Sequence, residues 1–365
     1  MTQITVGIPV FNAMPYLPEA LESILRQSYT DFTILAINDG STDGSLEYLQ
    51  SIRDPRLRIQ SQQNQGLTST LNRMLFEVKT PWLLRFDSDD VAYPHRLALT
   101  IEYIARYPRS GMLYSMAEYY PKKSVGQFRA TKGSPADIRA LVQSGYLPSI
   151  CHPTVTLNVD KTLAVGGYRF DLHVEDIDLW WRMALNHDIQ MIPEVTLGFR
   201  QHLKSVSATN LERQALSILY VQYLLLSHLW NLTPLPYPEA QQPLSLLFNR
   251  RQMKFKTHLR SFNIELGRGQ LVRAACEAGH ALFTSPKDLS RRVLDEIVSN
   301  RRISVGQPTA LFERYKSTLW PEEASSNAHS KVPSPLPYPC ALELDHMRAA
   351  AASMSRRLPQ RGSRS

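Results

Sequence analysis

The sequence predicts an α/β fold: a mostly parallel sheet with helices on both faces. Three observations carry that prediction. Strand and helix patterns alternate through the first half of the chain, the signature of strands joined by crossover helices. The strand segments are apolar and β-branched, as in residues 4–10 and 32–37, which suits strands covered on both faces. Polar loops at Asn12, residues 38–43 and residues 87–90 each follow a strand, and ligands of such sheets bind at the carboxyl ends of the strands.

The elements follow in order. Residues 4–10 make the first strand, which runs into Pro9-Val10-Phe11-Asn12. Residues 18–27 have helical spacing, with Leu21, Ile24 and Leu25 on one face. Residues 32–37 are a second strand. The turn-rich loop 38–44 follows, and a serine or aspartate in it caps a helix over 45–52. A short strand at 57–59 leads to the turn Asn64-Gln65-Gly66 and a helix over 67–78. A fourth strand, 82–86, ends in Asp87-Ser88-Asp89-Asp90. Beyond it come a helix over 93–107, a strand over 111–119, a polar loop over 121–135, a helix over 136–144 and a strand over 153–158. The turn Gly166-Gly167-Tyr168, a helix over 175–186 and an extended segment over 191–200 complete the pattern. From about 210 to 320 the signals are helical. From 321 onward Pro, Ser and Ala enrichment predicts disorder, with one short helix near 341–354. The division is therefore 1–208, 209–320 and 321–365.

The 365 residues carry a net charge of +8, with much of the excess beyond residue 250, as in Arg250-Arg251, Arg291-Arg292 and Arg356-Arg357. Such a surface is either simply solvated or drawn to an anionic membrane face or acceptor. The three cysteines form no CxxC pair, so neither a disulfide framework nor a zinc site is expected. No basic start followed by an apolar run opens the chain, and no window of about 18 apolar residues occurs. The expected location is cytoplasmic, with peripheral contact at the inner face of the membrane as a further expectation. The stretch 215–230 reads as a buried helix. No aromatic-interleaved basic pattern points to nucleic acid.

Asp87-Ser88-Asp89-Asp90 is the sharpest chemical signal. Alternate residues of an extended chain point the same way, so Asp87 and Asp89 can aim at one point. Hard divalent ions such as Mn2+ and Mg2+ take carboxylate oxygens together with substrate phosphates. The competing reading makes the run a polar loop, with Asp90 capping a helix. Asp39, in Asn38-Asp39-Gly40-Ser41-Thr42-Asp43, can accept from a base imide or a ribose hydroxyl; no phosphate-binding glycine motif is present. Glu175, Asp176 and Asp178 sit at a helix start, where acids suit the helix dipole or serve as a general base toward an acceptor hydroxyl. Arg200 and His202 alternate on an extended stretch, and either can meet a diphosphate or a metal.

These motifs, Ile8-Pro9-Val10-Phe11-Asn12, the run 38–45, Asn64-Gln65-Gly66, Asp87-Ser88-Asp89-Asp90 and Glu175-Asp176-Ile177-Asp178-Leu179-Trp180, stand in the order and spacing of family 2 glycosyltransferases, which the chain resembles over about residues 3–208. The resemblance implies a GT-A (Rossmann-like) fold, a nucleotide-diphosphate sugar donor, most commonly a UDP-sugar, an inverting transfer and a divalent metal. It implies a donor pocket of Pro9, Phe11, Asn12, Asp39, Asn64, Gly66, Asp87 and Ser88, and metal ligation by Asp87, Asp89 and His202. It implies Asp176 as catalytic base with Glu175 beside it, and Gly167, Tyr168 and Trp180 on the acceptor side. A glycan or lipid-linked sugar is the implied acceptor. Phe11 stands where tyrosine is commoner, and no Q-x-x-R-W motif follows the base, which argues against the processive synthases of cellulose and hyaluronan type. Two rivals remain. One is a nucleotide-sugar-binding scaffold with a decayed site, although every acidic position is filled. The other is a nucleotidyltransferase, whose basic triphosphate loop has no counterpart between residues 4 and 21, where no Lys or Arg occurs.

Overall fold

The computed structural model describes residues 3–121, 127–169, 172, 174–200, 211–247, 250–267, 269–287, 290 and 308–321. His202 and the tail expected beyond 321 lie outside the described residues, the first residue of that tail excepted. The strands are β1 (Ile4–Val10), β2 (Thr33–Asp39), β3 (Leu57–Gln62), β4 (Trp82–Arg85), β5 (Val91–Ala92), β6 (Met112–Tyr120), β7 (Val155–Asn158) and β8 (Ile189–Arg200). They form one eight-stranded sheet in the order β3-β2-β1-β4-β7-β6-β8-β5.

The first half of that sheet is parallel, β1 lying between β2 and β4 and β2 beside β3. The crossovers are the helices α1 (Leu17–Leu25), α2 (Ser45–Ser51) and α3 (Leu67–Glu77). The second half is mixed. β7 enters antiparallel between β4 and β6, β8 runs parallel to β6, and the short β5 closes the edge antiparallel to β8. The parallel pairing expected of most of the sheet thus lies mainly in its first half. Hydrophobic runs report burial on both faces but not strand direction, so the insertion of β7 left no mark in the pattern.

Two cores cover the two faces. Ile4, Val6, Ile8 and Val10 of β1 pack with Leu17, Leu21 and Ile24 of α1. On the opposite face, Leu35 and Ile37 of β2 join Leu71, Met74 and Leu75 of α3. This alternation follows from the two-residue period of a strand. A Cβ on Gly7 would lie 2.7 Å from Leu83 and 3.1 Å from Met74, so glycine lets α3 approach β1. Pro9 stands beyond the last β1–β4 pair, Gly7 with Arg85, where a missing backbone donor is tolerated.

Helices α4 (Arg96–Arg106), α5 (Pro135–Gln143), α6 (Val159–Ala164) and α7 (Glu175–Asn186) complete the first unit. Helix α8 (Leu211–Trp230) does not begin a separate core. Its Val221, Tyr223, Leu225 and Leu226 are buried in the same cluster as Leu179, Trp180 and Trp181 of α7, and Gln222 donates to the Gly145 carbonyl at 2.7 Å. The boundary read near 208 marks a change of pattern rather than a break in packing. Helix α9 (Tyr237–Ser245) follows, and α10 (Arg250–Gly267) and α11 (Leu271–Thr284) pack chiefly on each other. The short helices α12 (Pro308–Arg314) and α13 (Lys316–Leu319) return to α8, where Trp320 donates to Ser227 at 3.0 Å. Among the described residues no helix is long and apolar enough to cross a membrane.

Candidate active site

The carboxyl ends of β1, β2 and β4 are adjacent in the sheet, and their loops are stitched together. Asn12 has a left-handed backbone, φ 48°. That turn brings its side-chain oxygen to the Thr42 amide (2.8 Å) and its own amide to the Ser41 hydroxyl (3.0 Å). Asp43 accepts from the Met14 amide at 2.8 Å. Asp39 is buried, and its carboxylate accepts from the Gln65 amide (2.9 Å), the Gly66 amide (3.0 Å) and the Gln62 side chain (2.7 Å). A Cβ on Gly40, φ +74°, would come within 2.8 Å of the Asn64 amide, so this turn admits only glycine. Pro9, Asn12, Asp39, Asn64 and Gly66 are thereby gathered at one edge. Phe11, 51% exposed on its lip, offers a flat aromatic face.

The loop after β4 has a different character. Asp87, Asp89 and Asp90 bring their carboxylate oxygens within 4.8 Å of one another, and Ser88 stands half-buried between them in sequence. Arg85, buried at the end of β4, is ion-paired with Asp87. Its Nε has no hydrogen-bond partner among the described residues, and neither has Asp90 Oδ2. Burial raises the carboxyl of Asp87 and Asp89 raises it further, against the pull of Arg85. Burial, then Asp87 and Asp89, drive Asp90 well above the ordinary carboxylate range. The buried Arg96 is pushed down to about 9 by desolvation; it donates to the carbonyls of Arg85 (3.0 Å) and Pro153. Asp90 is not a helix cap. β5 follows it, α4 starts only at Arg96, and Asp90 Oδ1 accepts the Arg200 amide at 2.8 Å. Arg200 also donates to the Asp89 carbonyl (2.6 Å), pairs with Glu19 and lies over the rings of Tyr16 and Tyr120. It braces the acidic loop from the end of β8.

The α7 N-terminus supplies two different carboxylates. Asp176 keeps a partly exposed edge, and its Oδ1 accepts the Ile177 amide at 2.8 Å. Burial raises its carboxyl to about 6, opposed by that amide and by Arg85 and aided by Asp87. Its electrostatic partners are thus Arg85 at the end of β4 and Asp87 in the loop that follows. Asp178, two residues on, is fully buried and pairs with Arg169 (2.6 Å) and Arg182 (2.7 Å). Burial pushes its carboxyl up, but the two guanidinium groups prevail and hold it below the usual range. Arg182 donates further to the carbonyls of Val165 (2.6 Å) and Gly167 (2.8 Å).

The Gly166-Gly167 turn, with φ of 91° and 60°, is held from the other side by Asn72, whose side chain bonds both backbone groups of Tyr168 (2.8 and 3.0 Å). A Cβ on Gly167 would lie 2.8 Å from Asn72 Oδ1. Tyr168 is buried with its hydroxyl 2.9 Å from His152 Nε2, and the His152 ring stands edge-on to Trp180 at 5.5 Å. Burial and Arg85 keep the His152 imidazole well below its usual range, hence neutral. Gly167, Tyr168, Trp180 and Glu175 are all buried, Trp180 wholly so. Trp180, expected on the acceptor side, is buried in the core that packs against α7. Reading the chain alone missed Arg85, Arg96, Asn72 and His152. Arg85 had a signal, as the lone charge in an apolar strand.

Residues 5–155 match the family described as "Glycosyl transferase family 2". They form a family 2 glycosyltransferase domain. The chain is 27% identical over 187 residues to EpsE of Bacillus subtilis, covering 49% of this chain and 66% of that one. It is 25% identical over 188 residues to the amylovoran biosynthesis glycosyltransferase AmsE of Erwinia amylovora, 50% of this chain and 70% of the relative. Against a chondroitin synthase of Pasteurella multocida it is 32% identical over 101 residues, 27% of this chain but 10% of the synthase. The chain thus spans less than two thirds of the length of EpsE and a small part of the synthase. Among solved structures, S. aureus TarS 1–349 in complex with UDP-GlcNAc superposes with TM-score 0.52 at 14% identity, over 77% of this chain and 91% of that one. The mannosyltransferase PcManGT of Pyrobaculum calidifontis, in complex with GDP-Man and Mn2+, gives 0.50 at 17%, over 88% of each chain. At such identities the likeness is one of fold, and the glycosyltransferase domain has the GT-A fold.

Proposed function

We propose that this glycosyltransferase is inverting and metal-dependent, and that it moves a sugar from a UDP-sugar to an acceptor hydroxyl during polysaccharide, glycolipid or cell-envelope glycan synthesis. The observation that carries the reading is Asp176: a carboxylate held at about 6 by burial at the start of α7, in electrostatic reach of Arg85 and Asp87. A base with a pKa just below neutrality is ionised at pH 7 yet close enough to the working pH to accept a proton efficiently.

In this mechanism Asp176 takes the proton of the acceptor hydroxyl as its oxygen bonds to the anomeric carbon. The bond from that carbon to the diphosphate breaks in the same displacement, which inverts the centre through an oxocarbenium-like transition state. Pro9, Phe11, Asn12, Asp39, Asn64 and Gly66 hold the base and ribose, with Phe11 stacking. Asp87 and Ser88 extend that pocket toward the diphosphate. The acidic cluster suits a hard divalent ion, since three mutually repelling carboxylates and an unpartnered Asp90 oxygen match an oxygen donor set. Held by Asp87 and Asp89, with His202 as the third ligand implied by the family resemblance, Mn2+ or Mg2+ would neutralise the departing diphosphate. Glu175 and the Gly167–Tyr168–Trp180 layer fix the entry angle of α7, and so the position of Asp176, beside a glycan or lipid-linked acceptor. The enzyme works in the cytoplasm, with the basic residues beyond 250 drawing it to the inner membrane face.

Calorimetric titration with UDP-, GDP-, CDP- and dTDP-sugars, with and without Mn2+, tests the donor and the metal together. Tight binding of one donor, lost on chelation, is the expected result. Binding indifferent to metal removes Asp87 and Asp89 from the ligand set, and binding to none of them returns the weight to a scaffold role.

A further inference from the structure

The α10–α11 hairpin shares no element with the active site, yet it gathers three metal-ligating side chains. We propose that His258, Glu277 and His280 form a second metal site, selective for zinc-like transition metals and acting as a staple between the two helices.

Glu277 and His280 are three residues apart on α11, so their side chains share a face. His258 reaches them from α10. Its Nδ1 lies 2.7 Å from Glu277 Oε2, and its ring centroid is 5.1 Å from that of His280. One donor atom from each of the three lies within 4.8 Å of the others. Ligands about 2 Å from a tetrahedral ion stand roughly 3.3 Å apart, so the 2.7 Å His258–Glu277 hydrogen bond opens slightly and small rotations of side chains that are half-buried or exposed bring the set to that spacing. Two imidazoles and one carboxylate are a zinc donor set with a fourth position left for water. Magnesium and calcium, which prefer oxygen, are disfavoured here. The site therefore differs in kind from the all-carboxylate cluster at Asp87–Asp90.

The hairpin also has reason to need a staple. Among its described side chains only Phe255, Glu265, Ala274 and Ala281 are buried, while Leu271, Val272, Leu282 and Phe283 are exposed. A short helix pair is marginal by itself, and these two helices pack chiefly on each other. An ion that binds only the paired helices adds its binding free energy to their pairing.

The experiment uses the untagged full chain, stripped by chelation and titrated with Zn2+ and, for its visible spectrum, Co2+. An Asp87→Ala/Asp89→Ala background removes the active-site cluster. In that background one equivalent of Zn2+ binds and raises Tm, and Co2+ gives the intense absorption of a low-coordinate N/O site. His258→Gln and His280→Gln each weaken binding by about 100-fold or more and abolish the cobalt band, while circular dichroism shows the helices retained. Undiminished zinc stoichiometry and affinity in the double His→Gln variant, or no zinc binding in the parent background, overturns the proposal. Because the readout is made without donor or acceptor, failure of the transferase reading leaves it untouched.

Discussion

The acids at the end of β2 and those at the end of β4 flank the end of β1 on either side and behave oppositely. Asp39 is satisfied: three donors from the 62–66 segment converge on it. Asp87, Asp89 and Asp90 are frustrated: they crowd one another, and among the described residues Asp90 Oδ2 finds no hydrogen-bond partner. The first turn of α7 repeats the contrast, with Asp178 clamped by two arginines and Asp176 destabilised in its charged form. A satisfied carboxylate holds the scaffold. A frustrated one stores repulsion that a cation or a proton relieves, and such residues gather where chemistry is done.

This contrast breaks or stands on substitution. Asp176→Asn lowers transfer by about 1000-fold in a donor-saturated assay and leaves calorimetric donor affinity unchanged; wild-type turnover ends the base assignment. Asp178→Asn does the reverse. It takes the countercharge from the buried Arg182 and the half-buried Arg169 and costs about 3–5 kcal/mol in denaturant unfolding, with any activity loss following the loss of fold. Asp39→Asn removes one of several shared bonds and costs about 1–3 kcal/mol, read as a lower urea midpoint together with weaker donor binding.

The pH dependence sharpens the same point. Transfer by the wild type rises with pH up to an inflection near 6, where Asp176 ionises, and a flat profile between pH 5 and 7 contradicts that role. For stability the sign is opposite. The folded-state pKa of Asp176 is raised, so its favourable contribution is full below the unfolded value of about 4 and is lost as pH climbs through about 6. The smallest predicted effect follows: Asp176→Asn raises Tm by roughly 2–4 °C at pH 7 and by less at pH 4, seen in thermal melts at the two values.

Much of this was legible in one dimension. Apolar runs and their spacing placed strands at 4–10, 32–37 and 82–86 and a helix at 175–186, within two residues of the observed Ile4–Val10, Thr33–Asp39, Trp82–Arg85 and Glu175–Asn186, because burial leaves a periodic record. The loops with chemistry could be read because they follow strand ends. β5 was invisible, since two residues carry no period. The burial of Trp180 in the core was not legible either, since an aromatic beside an acidic run reads the same whether it faces a ligand or the interior.

The local order of strands, turns and acids, and with it the family, was therefore determined by the sequence alone, since these depend on neighbours within a few residues. Only the tertiary structure decided which carboxylates would be frustrated and which satisfied. That depends on partners far along the chain: Arg200 beside Asp90, Asn72 on Tyr168, His258 against Glu277 and His280. Desolvation and charge pairing are set by distance in space, and a linear pattern carries no record of it.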